Sequence, residues 1–582
     1  MDRIAEPRAR RESRSIAKSL SVVVVALALA TGVGLRVVRL HDVPAGFHQD
    51  EACDGYDAYS ILTTGRDHHG NVLPLAMQGF NDYRPPLFDY SLVPLVGLFG
   101  LKVGVIRLGA ALWGSVDLAA TTVTAGLMLG WPGAAAAAVL GALSPWHLEL
   151  SRYGIETTTA WATVSLAMMC FSLWLRWQNP RWLILSGGCL GLSLYAYAVT
   201  RVFMPLMISL LAAFYWRELK PAWRSAAIAL GLVVLMAGPQ ALLILRHPEI
   251  QARFHILYLF DFMKNCPECP GGPGTANSSL PYRLINFAAN WISYFTPSFL
   301  FLTGDRGDRA TLLHPPGFGE LPPEQAILLS FAALALIIPR HRKLALLLLG
   351  WLMIATVPAA LTLPLGAWSP EPREPPTPWI QLTYPVHNVP LTPALLLSHP
   401  DSRHDLMALA PWLLLSALGF VVMLELTRRV PGLAIAATAL LAAGTIFHAA
   451  RFIRSYFVDY PVIAAPYFQY GMEEVAGDIA RLWDGHQTVV VTDKVLEPYI
   501  YLLFFGPYPP SRFQRQPVYY RRAGLAAPVA AFDHYAFVDP QFAWGKLKRG
   551  IFVYPGIEAL PAPAIASVRY PDGRLAFSII VK

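Results

Sequence analysis

Charge is scarce in this chain. Only 14% of its 582 residues are Asp, Glu, Lys or Arg, against about 25% in soluble globular proteins. With 55% hydrophobic residues, that scarcity excludes an ordinary cytosolic enzyme and intrinsic disorder alike. Cysteine is scarce too. Cys53, Cys170, Cys189, Cys266 and Cys269 form neither a disulfide framework nor a zinc-ligand array. The basic residues gather in no single patch, so no nucleic-acid partner is expected. Internal repeats are lacking, which takes support from an inverted-repeat transporter.

What is present is long apolar runs, a positive mean hydropathy of +0.42 and 49 prolines. The sequence describes a polytopic membrane protein. A basic segment, 1–18, precedes the first run at 19–38, which is long enough to span at about 20 residues and lacks a small-residue cleavage site after it. Further runs lie near 106–128, 131–146, 158–175, 182–199, 202–216, 223–245, 325–339, 344–363, 406–426 and 432–450, about 11 transmembrane helices in all. The run 86–101 is short and holds Asp89 and Pro94. If it stays at the outer interface, then Arg176 with Arg181, Arg217 with Lys220 and Arg224, Arg340 with Arg342 and Lys343, and Arg428 with Arg429 all face the cytoplasm, as the positive-inside rule requires. The expected domains are thus a cytoplasmic N-terminus, 1–18, a membrane domain, 19–450, with its outer loop 39–105, and an extracytoplasmic C-terminal unit, 451–582. That last unit mixes a helical stretch at 471–484, a β-rich Thr488–Val491 and a strand-like Arg574–Val581 after Asp572-Gly573, a hairpin signal. It reads as a small α/β domain.

Chemistry concentrates in the outer loops. The first reads His48-Gln49-Asp50-Glu51-Ala52-Cys53-Asp54-Gly55-Tyr56-Asp57-Ala58-Tyr59, then Thr64-Gly65-Arg66-Asp67. Acids beside a membrane are costly and usually mark function. If 51–64 is helical, Asp50 is its N-cap and Gly65 its stop; a capping acid can also serve as a base. Asn81-Asp82-Tyr83-Arg84-Pro85-Pro86 sets an Arg before a rigid corner, suited to bidentate phosphate binding or to interfacial anchoring. Arg107 and Arg201 lie at the same membrane boundary, where snorkelling is the alternative. In the second outer loop, His147, Glu149, Arg152 and Glu156 follow one another, and on a helix the last three share a face, as a catalytic group or a salt-bridge ladder. Cys266-Pro267-Glu268-Cys269 suggests a short disulfide, and Asn277-Ser278-Ser279 fits a glycosylation sequon.

The ordered set resembles a known family. Asp50-Glu51-Ala52, Tyr56-Asp57-Ala58-Tyr59-Ser60, Thr64-Gly65-Arg66-Asp67, Asp82-Tyr83-Arg84-Pro85-Pro86-Leu87, Arg107-Leu108, Ser144-Pro145-Trp146-His147 with Ser151-Arg152 and Glu156, and Tyr195-Ala196-Tyr197 with Arg201 are similar to bacterial glycosyltransferases of family 39. These are relatives of the protein O-mannosyltransferases and the lipid A aminoarabinose transferases. The likeness covers about the first 210 residues and is looser beyond. Asp57 stands where an Asn is expected, and His48-Gln49 replace a more apolar pair.

The resemblance implies an all-α polytopic GT-C fold and an enzyme that takes a sugar from a polyprenyl-phosphate donor on the extracytoplasmic face. It puts the family's catalytic carboxylate on Asp50, with Glu51 beside it and Glu156 as a further candidate. It puts the donor phosphate on Arg84, with Arg107 and Arg201. Asp82, Tyr83, His147 and Arg152 are accompanying candidates. The implied partners are the lipid-linked sugar, a glycan, lipid or protein acceptor, and the bilayer. The physics agrees: a departing phosphate needs fixed cations, and an acceptor hydroxyl needs a carboxylate to take its proton. Single displacement needs one carboxylate. No cofactor is expected, and the sequence does not indicate a divalent metal. The competing readings are a lipid-linked glycan flippase, which would carry polar groups near the midplane, and an oligosaccharide ligase using a diphosphate donor.

Overall fold

The structure is a computed structural model that describes residues 8–80, 83–251, 280–305, 314–362, 400, 402–519 and 529–582, with side chains from residue 18 onward. Asp82, Cys266, Cys269, Asn277 and most of the 364–405 loop lie outside the described residues.

Among the described residues, eight helices are long and apolar enough to cross a membrane: Lys18–Val37, Val103–Leu143, Thr157–Trp177, Thr200–Leu219, Trp223–Arg246, Pro339–Ala360, Leu406–Thr427 and Pro431–Ala464. One of them counts twice. Val103–Leu143 breaks at Gly130, whose φ of 76° and ψ of −172° are not helical. A methyl on Gly141 would meet the Leu118 side chain, so the two halves fold back on each other. This hairpin supplies the spans expected near 106–128 and 131–146. Two further expected spans are short helices, Pro180–Ser193 and Gln325–Leu334, of 14 and 10 residues. Leu87–Phe99, the ambiguous run, has 13 residues and a rise of about 20 Å, less than a bilayer core.

Helices approach closely where small residues allow it. A side chain at Gly419 would collide with the Leu328 carbonyl, and one at Gly187 with the backbone of Ala229. In lipid, such packing supplies the association energy that water would otherwise provide. The bundle core gathers Trp146, Trp161, Trp174, Trp351 and Leu413, all buried.

The C-terminal part folds as read. A helix, Met472–Leu482, and a seven-stranded sheet make one layer each. The strand order is Val518–Tyr519, Val529–Phe532, Tyr535–Phe537, Thr488–Val491, Gly550–Pro555, Leu575–Val581, Ala566–Arg569. Thr488–Val491 pairs in parallel with both neighbours, and the other pairings are antiparallel. Gly573, at φ 86°, turns the last hairpin. The preceding helical rod runs through 451 to Ala464, so the sheet unit starts after that point and not at 451. This unit sits on the first loop, 39–105. Phe47 packs on Phe504 at 4.7 Å between centroids, Tyr56 donates to the Tyr508 carbonyl at 2.7 Å, and Gln514 donates to the Asp67 carbonyl at 2.9 Å.

Candidate functional site

The site begins where helix Gln49–Thr64 begins. Its N-cap is His48, a correction to the expectation of Asp50. The His48 ring nitrogen Nδ1 accepts from the Asp50 backbone N–H at 3.3 Å, and Glu51 Oε2 accepts from the His48 N–H at 3.0 Å. That reciprocal pair is a capping box. Gly65, at φ 68°, ends the helix as expected. With the cap supplied by His48, the Asp50 carboxylate is relieved of that duty. Adjacent residues on a helix point about 100° apart, so one of the two acids turns out while the other turns in. The Asp50 side chain is 39% exposed, whereas Glu51 is wholly buried.

Glu51 is fully engaged. Arg107 grips it with two nitrogens, Nε to Oε1 at 2.9 Å and a terminal nitrogen to Oε2 at 3.0 Å. The Gly154 N–H donates to the same Oε1 at 2.9 Å. The rest of the Arg107 fork donates to the carbonyls of Leu40, Pro44 and Gly46. Arg107 and Glu51 are thus engaged with each other inside the loop that they hold together. Two more candidates move inward with them. Arg152 donates to the carbonyls of Leu35, Val38 and Val43, and His147 sits between Asp117, Arg36 and Ser151. The helix carrying Glu149 ends at Leu150, so Glu149, Arg152 and Glu156 share no helical face.

Arg84 lies opposite, on a two-residue strand paired with Met77–Gln78. Its buried guanidinium forms ion pairs with Asp54, with Asp57 at 3.3 Å and with Asp89 at 3.8 Å, and touches Cys53 Sγ at 3.2 Å. Its Nε has no hydrogen-bond partner. Burial works against its charge, and Cys53, Asp89, Glu156 and Asp50 outweigh burial and hold its pKa above the usual value. Asp50, Glu156 and Arg84 thus share one electrostatic neighbourhood. Asp57 also accepts from the ring and backbone of His68, at 2.6 and 2.8 Å. Burial disfavours charge on His68, but Asp57 prevails and its pKa rises. Arg201 is tethered indirectly to this strand pair: it donates to Gln240 at 3.4 Å, and Gln240 donates to the Leu75 carbonyl at 2.8 Å. Its Nε, too, lacks a partner. Tyr83 flanks Arg84 on the same strand.

Three neighbours of Asp50 escape sequence reading. Glu497, from the C-terminal unit, has its pKa pushed up to about 7 by burial and then by Asp50. Its left-handed backbone, φ 47°, caps helix Pro498–Phe505. Tyr153 and Tyr501 also feel Asp50, and Arg403 faces Tyr153. The only local signal was Glu497-Pro498 opening an apolar run; nothing in the sequence brings these residues to the first loop.

The helical bundle, the first-loop helix with its acidic N-terminus and the C-terminal sheet unit that covers it form the architecture to be compared with known proteins. The family model for dolichyl-phosphate-mannose-protein mannosyltransferases matches residues 83–238. ArnT from Cupriavidus metallidurans, solved bound to undecaprenyl phosphate, is similar with a TM-score of 0.52 and 13% identity over 97% of this chain and 98% of that one. The archaeal oligosaccharyltransferase AglB from Archaeoglobus fulgidus, solved with an inhibitory peptide and a dolichol-phosphate, gives 0.44 and 11% over 84% and 64%. No curated protein matches. The likeness to ArnT shows that the chain has the GT-C fold, and residues 83–238 are similar to the dolichyl-phosphate-mannose-protein mannosyltransferase family.

Proposed function

We propose that this protein transfers a sugar from a polyprenyl-phosphate donor to an acceptor on the extracytoplasmic face, by single displacement with Asp50 as base. The observation that carries the reading is the split of the acidic pair. Asp50 keeps a part-exposed carboxylate, 3.4 Å from the His48 ring and in the same electrostatic neighbourhood as Arg84 and Glu156, while its neighbour is locked into the fold. A carboxylate so placed can take the acceptor proton as the C1–O bond to phosphate breaks. Glu497, with a pKa near 7, is suited to share that proton.

Arg84 is the proposed contact for the departing phosphate. Its terminal nitrogens are anchored by acids, and its Nε donor is unspent; Arg201 is the second candidate. Charge held by fixed partners needs no reorganisation as negative charge develops on the leaving group. The prenyl chain would lie against the apolar helix faces; ArnT was solved bound to a lipid of this kind, undecaprenyl phosphate. Both the flippase and the diphosphate ligase make a different prediction. Purified protein incubated with labelled polyprenyl-phosphate sugar should release free polyprenyl phosphate when an acceptor is present. Movement of intact donor across a vesicle, without release, would replace this reading with transport.

A further inference from the structure

Two groups of described residues bring metal-ligating atoms together: Cys53 with Asp57 and His68, and Asp305 with His314 and Glu320. They differ in what their donor atoms already do. His68 is bonded through both ring nitrogens, to Asp57 at 2.6 Å and to the Tyr499 hydroxyl at 3.2 Å, and the Arg84 cation rests on Cys53 and Asp57. That group is a closed hydrogen-bond network with its own positive charge.

The second group is built differently. Asp305, His314 and Glu320 are 5%, 4% and 1% exposed, and their ligand atoms lie within 4.8 Å of one another. The chain reaches this arrangement through Gly304, at φ 64° and ψ −143°. A Cβ there would stand 2.5 Å from His314 Nε2 and 3.0 Å from Glu320 Oε1, so only glycine lets the backbone come this close. His314 Nδ1 lies 2.9 Å from the Pro315 carbonyl. A carbonyl only accepts, so Nδ1 carries the proton and Nε2 presents its lone pair, the tautomer that a metal-binding His adopts. Nε2 has no well-aligned hydrogen-bond partner, although the Asp305 backbone also acts on the ring; Glu320 Oε1, at 3.9 Å, is beyond hydrogen-bonding distance. Asp305 is aimed by Ser402, whose N–H and hydroxyl donate to its two oxygens at 2.8 and 2.6 Å. On the second outer loop, the buried Glu149 leaves Oε1 without a hydrogen-bond partner. Burial, then the charges of Glu320 and Asp305, raise its pKa, which puts its carboxylate in their field.

We propose that Asp305, His314 and Glu320 bind a divalent transition-metal cation of the Zn²⁺ class. One imidazole and carboxylate oxygens suit that class. Ligand atoms about 2.1 Å from a tetrahedral ion lie about 3.4 Å apart, a small contraction from the present spacing. The ion would tie the stretches 298–305 and 314–320 to each other and, through Ser402, to the start of the Leu406–Thr427 span, a bracing role that takes no part in the displacement.

The test uses the full chain in detergent, stripped with a chelator and titrated with Zn²⁺ alone. About one equivalent should bind, with His314→Ala and Glu320→Gln each weakening it on the order of 100-fold or more, and Cys53→Ser leaving it unchanged. X-ray absorption of the wild-type complex should report nitrogen and oxygen ligands without sulfur, a readout independent of how the variants fold. Absence of stoichiometric binding, unchanged affinity in His314→Ala, or a sulfur ligand would each overturn the proposal.

Discussion

Asp50 and Glu51 are neighbours in sequence and opposites in environment. Glu51 is wholly buried and held by the two-pronged grip of Arg107 and the Gly154 N–H. Asp50, one residue earlier, keeps an exposed carboxylate among Arg84, Glu156 and Glu497. The same contrast separates Arg107 from Arg84: one spends its fork on loop carbonyls and a single acid, the other is ringed by acids with its Nε unspent. A charged pair beside a membrane therefore has two tasks to divide. One member builds the loop, and the other is the one proposed for chemistry.

The contrast is broken most severely by removing one partner of the closed pair. Arg107→Met leaves Glu51 charged and buried without its cation, and should cost about 3–5 kcal/mol of stability. Arg107→Met with Glu51→Leu should recover part of that loss; denaturation of the detergent-solubilised variants reads both. Next in size is the open cluster. Arg84→Ala should weaken polyprenyl-phosphate binding about 10- to 100-fold, and Arg84→Lys should retain part of it, since Lys brings charge without the planar fork. Titration with polyprenyl phosphate decides it, and wild-type affinity in Arg84→Ala would move the phosphate towards Arg201 or Arg403.

A smaller effect follows from Glu497. Its folded pKa, about 7, lies above the unfolded value, so the folded state holds its proton more tightly. Stability from this group is present at low pH and is lost as pH rises from the unfolded value towards about 7. Glu497→Gln should flatten the slope of melting temperature against pH in that window, measured on the full chain. The smallest effect concerns the helix stop: Gly65→Ala, at φ 68°, should cost about 1 kcal/mol and leave phosphate binding intact.

How much of this was legible beforehand depended on the distance over which residues had to meet. A run of about 20 apolar residues has few fates, so the spans could be read, including the pair 106–128 and 131–146 that the chain joins at Gly130. The strands after Asp572-Gly573 declared themselves by local pattern. The first-loop helix and its Gly65 stop were equally local. Its cap was not: Asp is the commoner N-cap, and only the pairing of His48 with Glu51 assigned it otherwise. The shared face of Glu149, Arg152 and Glu156 failed because the chain leaves the helix after Leu150, where no Gly or Pro announces a stop. Glu497 acts on the first loop from more than 400 residues away, and Asp305, His314 and Glu320 come together around the tight backbone of Gly304. Such convergence leaves no periodicity to read.

The central claim is that Asp50 is the base and Glu51 its scaffold. The most direct measurement is the single-turnover rate of Asp50→Asn with labelled polyprenyl-phosphate sugar and saturating acceptor, beside its melting temperature. The account predicts a rate lower by about 10² or more with melting and polyprenyl-phosphate affinity close to wild type. A rate near wild type in a folded Asp50→Asn would contradict it and pass the role to Glu156 or Glu497.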